Sequence, residues 1–263
     1  MALAPVNGQQ IYFEDTGGDL PVVVLAHGFL MDHEMFAPQV AALRDAYRLI
    51  TWDERGFGDT VFDGKPFTYW DSAADCLGLL DHLEIERAVV GGMSQGGFLS
   101  LRAALLAPTR VRALVLLDTE AGAPEPERGE AERGMVDMWL SVGPVDELAN
   151  AVATLIINQP EEDARWIAKW RARDKALLAE PARCLHGRDD LHDRLDEITC
   201  PTLVIHGVDD TAIDMSKAVA LAAGLPGCEG VVEVPGAHAA NLTHPGPVNE
   251  AIRQFLDALP AEP

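Results

Sequence analysis

The chain has no apolar run approaching the roughly 20 residues that would cross a bilayer, so no transmembrane helix is expected. It is short of positive charge. Lys and Arg number 20 against 42 Asp and Glu, a formal net charge of −22, which excludes nucleic acid and anionic membrane surfaces as expected partners because both reward basic patches. Cysteine is scarce and scattered, at Cys76, Cys184, Cys200 and Cys228. With no Cys-x-x-Cys and no Cys/His ligand spacing, neither a disulfide framework nor a zinc site is expected, and no metal is called for. The opening Met1-Ala-Leu-Ala-Pro-Val lacks a basic stretch followed by a long apolar core, so no signal peptide is expected and a cytoplasmic location is. Internal repeats and low-complexity tracts are also missing.

What is present is enough chain, 263 residues, to bury one sizeable core, or one core with an insertion. Residues 6–16 alternate around an Asn-Gly turn and predict an N-terminal hairpin. Val22–Ala26 is a continuous apolar run of strand length, suited to burial on both faces. Residues 47–53 form a second such run. Residues 72–84 space Ala73, Cys76, Leu77, Leu80 and Leu83 as a helix, with Ser72 and Asp75 as start signals. Further strands are predicted at Val89-Val90, Val111–Leu117, Thr202–His206 and Val231–Val234, and a last helix from Val248 to Leu259. Strands alternating with helices predict a mostly parallel sheet covered on both faces. Residues 121–133, with Pro124, Pro126, Gly129 and clustered glutamates, read as a linker, and 134–185 as helical. The expected organisation is therefore a core of 1–120 and 186–263 interrupted by a linker and helical lid, 121–185.

Chemistry concentrates around Gly92-x-Ser94-x-Gly96, between a predicted strand and an Ala/Leu-rich helix. This is the nucleophile-elbow pattern: glycines permit a turn so sharp that the serine hydroxyl stands clear of the sheet at a helix N-terminus. A serine needs a base, and the base an orienting carboxylate. Because active groups in such sheets lie beyond the carboxyl ends of strands, His238, after the last strand, is the candidate base. For the carboxylate, Asp209 and Asp210 follow one strand and Asp118 and Glu120 another. The backbone N–H of Gln95, directly after the serine, and that of Phe29, in His27-Gly28-Phe29, are the candidate oxyanion donors.

With His27-Gly28-Phe29, Asp53-x-Arg55-Gly56-x-Gly58, Ser94, Gly207-Val-Asp-Asp210 and His238 in that order, the chain resembles the α/β-hydrolase superfamily over nearly its whole length. The resemblance implies that fold, with a helical lid inserted, and selects Asp210 as the acid. Gly187–Leu195 before Pro201–His206, and His238–Pro245, resemble the 3-oxoadipate enol-lactonase and non-haem haloperoxidase-like branch. The likeness weakens over 121–180, where substrate is selected, and Thr60 stands where serine is usual.

The expected activity is hydrolysis of a small or medium carboxylic ester or lactone through an acyl-enzyme on Ser94, without cofactor. Rivals keeping the same triad are a carbon–carbon bond hydrolase, a perhydrolase, or a ligand receptor with little turnover. A hydrophobic pocket under the lid is expected to use Phe29, Trp139 and Trp166. Trp166 and Trp170, four apart, can equally pack helices together. Self-association into a homodimer is left open by the sequence.

Overall fold

The computed structural model describes residues 2–260, apart from the side chains at positions 127 and 128. Eight strands form one sheet in the order β1-β2-β4-β3-β5-β6-β7-β8. They are β1 (Ala2–Val6), β2 (Gln9–Asp15), β3 (Val22–Ala26), β4 (Arg48–Trp52), β5 (Ala88–Met93), β6 (Val111–Leu117), β7 (Thr202–Gly207) and β8 (Cys228–Val234). β2 runs antiparallel to β1 and β4, and the remaining pairs are parallel. Asn7 and Gly8, both at positive φ, make the turn that closes the predicted hairpin.

The strands read as unbroken apolar runs because both faces are covered. Val24 and Ala26 of β3 join one buried cluster, Val23 and Leu25 the other. The first face is packed by α2 (Tyr69–His82) and α3 (Gln95–Leu106), together with α8 (Met215–Gly224). The second carries α1 (Ala37–Leu43) and α10 (Pro245–Ala258), whose Val248, Ile252 and Leu256 make the buried stripe read in the sequence. Between β6 and β7 stand α4 (Pro126–Val142), α5 (Asp146–Ile156), α6 (Pro160–Ala172) and α7 (Ala179–His186); α9 (Ala240–Thr243) follows β8.

Three local expectations are corrected. α2 starts a turn early: Thr68 caps it, accepting from the Asp71 N–H while the Asp71 carboxylate accepts from the Thr68 N–H. Ser72 and Asp75 are interior to that helix. Asp75 instead pairs with Arg55, Nε to Oδ2 at 2.5 Å and Nη2 to Oδ1 at 2.9 Å. The linker expected at 121–133 ends sooner, since α4 begins at Pro126. Proline in a first helical turn loses no bond that the helix would have made, and acidic side chains suit that end of the dipole. The helical stretch expected to end at 185 runs one residue further, with His186 the last residue of α7, and His192 opens a short 3-10 turn.

Candidate active site

Ser94 occupies the break between β5 and α3 with φ 53° and ψ −114°, a left-handed conformation that few non-glycine residues adopt. Its neighbours enforce it. The Ser94 N–H donates to Leu117 O (2.9 Å), and the Thr119 hydroxyl donates to Ser94 O (2.8 Å). A Cβ on Gly96 would collide with the Ala26 carbonyl, and one on Gly92 with both Ala26 and Gly96. The elbow thus depends on backbone approaching backbone at the two glycines that flank the serine.

The loops after β7 and β8 are stitched together by Asp209 N to Gly236 O (3.0 Å), which brings Asp210 to His238. Asp210 Oδ1 accepts from the Ala212 and Ile213 N–H groups at 2.7 and 3.0 Å. Its Oδ2 lies 2.7 Å from His238 Nδ1. With a carboxylate facing Nδ1, that nitrogen carries the proton and Nε2 keeps a lone pair. Burial works against the Asp210 carboxylate, but the charge and hydrogen bond of His238, with the backbone donor at Ile213, outweigh it and hold its pKa below the usual range.

The other candidate acids have different surroundings. Asp209 is exposed. Asp118 is buried at φ 47°, with Oδ1 accepting from the Gly207 N–H at 2.7 Å. Burial, and then the Asp210 charge, push its pKa well up. His206 lies between the two aspartates, with Nε2 2.9 Å from Ile213 O and 3.3 Å from Asp210 Oδ2. Glu120 is tied to Arg188 at 2.8 Å.

The segment bearing Phe29 is fixed by His27. The Glu54 N–H donates to His27 Nε2 (3.0 Å), so Nδ1 carries the proton and donates to Gly28 O (2.8 Å). Burial keeps this imidazole neutral, although nearby Asp53 opposes the shift. Gln95 is the first residue of α3, where helix N–H groups have no intrahelical acceptor. Its side chain is anchored sideways, donating to Glu54 Oε1 (2.9 Å) and accepting from the Tyr69 hydroxyl (3.2 Å). Burial raises the Glu54 pKa well above the usual carboxylate value.

Phe29, Ser94 and His238 share a cavity of about 90 Å³. Met135 and Val136 of α4 and Val152 and Ile156 of α5 face it, as do four polar side chains, Glu120, Glu132, His186 and Arg188. Trp139 and Trp166 line a different, smaller hollow beside Lys169 and Trp170. Trp139 stacks edge-on against Trp170 (centroids 5.6 Å), and Lys169 Nζ sits 4.6 Å from the centre of the Trp166 ring. Of the three expected pocket residues the structure brings only Phe29 to Ser94; the tryptophans join the helices to one another. Sequence reading passed over Arg188 and gave His186 no role. Neither has a local signal, because both reach the cavity only through the placement of α7 and of the chain directly after it.

Two groups of buried His and carboxylate atoms lie within 4.8 Å of one another, Asp32–His33–Asp53 and Asp118–His206–Asp210. In the second, Asp118 Oδ2 and His206 Nδ1 are buried without a hydrogen-bond partner. In the first, hydrogen bonds already account for the arrangement. Asp53 Oδ1 accepts from the His33 N–H and faces His33 Nδ1, each at 2.8 Å, and Oδ2 accepts from Asp59 N at 2.8 Å.

A hydrolase fold with a serine elbow and an aspartate-held histidine defines the class, and comparison with known proteins agrees. Residues 21–142 match the alpha/beta hydrolase fold family. A relative from Agrobacterium fabrum whose name proposes a carbamate hydrolase, RutD, is 30% identical, covering 94% of this chain and 96% of its own. The chain belongs to the alpha/beta hydrolase family. Among solved structures it is similar to a thermophilic esterase from Thermogutta terrifontis, at 30% identity and TM-score 0.88, over 98% of this chain and 97% of that one. It is also similar to an enol-lactonase from Burkholderia xenovorans, at 28% identity and TM-score 0.88, over 97% and 99%.

Proposed function

We propose that this hydrolase cleaves a small or medium carboxylic ester or lactone through an acyl-enzyme on Ser94. The observation that carries the reading is the Asp210–His238 contact at 2.7 Å, with His238 and Ser94 facing one cavity. Ser94 Oγ attacks the carbonyl carbon while His238 Nε2 takes its proton, and Asp210 stabilises the imidazolium that results. The Phe29 and Gln95 N–H groups bind the oxygen that becomes negative. The imidazolium protonates the departing alkoxide. His238 then draws a proton from water, whose oxygen attacks the acyl carbon, and returns that proton to Ser94 Oγ as the acyl–Oγ bond breaks and frees the acid. Residues 121–185 act as linker and lid. The esterase and enol-lactonase similarities support an ester or lactone as substrate, and the protein named for carbamate hydrolysis implies the same attack on a carbonyl.

The test compares the wild type with Ser94→Ala on p-nitrophenyl esters of graded chain length and on simple lactones. Turnover should fall by on the order of 10⁴-fold or more, with the melting temperature nearly kept. Comparable activity in the alanine variant would sink the mechanism.

A further inference from the structure

His186 closes α7 on the wall of the Ser94 cavity. Its Nε2 is buried and has no hydrogen-bond partner, the one cavity-lining side-chain nitrogen or oxygen of that kind among the described residues. The Glu132 carboxylate is the near acidic group, at 3.9 Å from Nε2, beyond hydrogen-bond length. Burying a polar nitrogen without a partner is costly, and the cost is removed when a bound molecule supplies the missing atom. Burial lowers the His186 pKa although Glu132 opposes it, so the ring meets a ligand as a neutral imidazole.

The cation on the same wall is already engaged. Arg188 donates from Nε to Gly122 O at 3.0 Å, from Nη1 to Leu185 O at 3.0 Å and from Nη2 to Glu120 Oε1 at 2.8 Å. Its guanidinium also lies 4.6 Å from the centre of the Phe98 ring. A substrate carboxylate would find no open guanidinium fork here, and would have Glu120 and Glu132 beside it. The remaining walls are apolar.

Building on the ester or lactone reading, we propose that His186 is a specificity-determining residue whose Nε2 hydrogen-bonds a neutral oxygen, a carbonyl or hydroxyl, carried by an otherwise apolar substrate away from its scissile bond. The substrate class is therefore an oxo- or hydroxy-substituted ester or lactone. Plain alkyl substrates and those ending in a carboxylate are the poorer ones.

The experiment uses two matched series of esters, substituted on the acid side or on the alcohol side, each with alkyl, oxo, hydroxy and carboxylate members. In the wild type, kcat/KM for the best oxo or hydroxy member should exceed its alkyl partner by about tenfold, a typical worth of one buried hydrogen bond, and exceed the carboxylate member by more. In His186→Leu that ratio should collapse to about one, and in His186→Gln, which restores an amide N–H and oxygen, it should partly return. A ratio near one in both wild-type series, a ratio that survives the leucine change, or a preference for the carboxylate members overturns the proposal. Calorimetric binding of alkyl ketones against their hydroxy and oxo counterparts to Ser94→Ala reads the same contact without turnover. A polar preference there, lost on adding His186→Leu, would uphold the anchor even if no ester were hydrolysed. Equal affinities would reject it whatever the fate of the hydrolase reading.

Discussion

Two buried histidine–carboxylate pairs of nearly equal length lie in this protein, at opposite ends of the chain. Asp53 meets His33 at 2.8 Å and Asp210 meets His238 at 2.7 Å, each through Nδ1. In both, the aspartate pKa is held down against burial by its histidine. Their other ring nitrogens separate them. His33 Nε2 points toward Glu14, 3.8 Å away, with the Tyr12 ring 4.8 Å from its own. His238 faces a cavity that also holds an elbow serine. The Asp53 pair folds the 53–60 turn, where Gly58 packs so close that a Cβ would strike the Asp53 carboxylate. The same contact can thus brace a loop or orient a base; position relative to a nucleophile decides which.

Exchanging the amide for each acid is the strongest way to break this comparison. Asp210→Asn should lower kcat by about 10⁴-fold, by favouring the wrong imidazole tautomer. Asp53→Asn should cost about 3 kcal/mol of stability, by orphaning a buried partner, and leave kcat/KM of the folded enzyme within about tenfold. Ester kinetics and denaturant melts on both variants check it; matching losses of activity would erase the distinction. A smaller effect contrasts the cavity with the neighbouring tryptophan cluster. Trp139→Ala should lower stability by about 3–5 kcal/mol through lost packing while KM for esters holds steady. A raised KM without a stability change would put Trp139 back beside the substrate.

The smallest effect sharpens the role of Glu54, the buried acid that holds the Gln95 side chain. Unfolded Glu54 ionises near the ordinary glutamate value, but folded Glu54 stays protonated to much higher pH. Wild-type stability is therefore full below the unfolded pKa and declines as pH rises toward the folded one. Glu54→Gln keeps an oxygen for the Gln95 amide and does not titrate. Its melting temperature should match the wild type near pH 4 and exceed it by a few degrees at pH 8. A variant that melts lower at every pH would contradict the assignment.

The core was legible because its rules are local. Apolar runs of strand length marked β3, β4, β6 and β7, and the glycines around Ser94 marked a turn that only small residues allow. Asp118 and Asp210 were not separable by residue type, and the resemblance rather than the residues selected Asp210. Their difference arises in three dimensions, where one carboxylate has three N–H partners and the other lies behind His206. The tryptophans misled for a related reason: large rings at helical spacing suit a pocket wall and a helix interface equally well. His33 escaped notice because its partner is twenty residues away in sequence and meets it only after β4 is laid beside β3. The start of α4 was hidden by proline and acidic residues that resemble a loop when read singly.

Among the bonds that tie the helical insertion to the floor beneath it are two from α5 and α6. The Ala239 N–H donates to Ile156 O at 2.7 Å, and Trp170 Nε1 donates to Leu30 O at 2.6 Å. The first rivets the end of α5 to the residue after His238, and the second rivets α6 to the residue after Phe29. The α5–α6 pair therefore behaves as a strut: it cannot swing upward without pulling on the loops that carry His238 and Phe29. On the other side of the cavity stand α4 and α7, which bring Met135, Val136 and His186 to its wall.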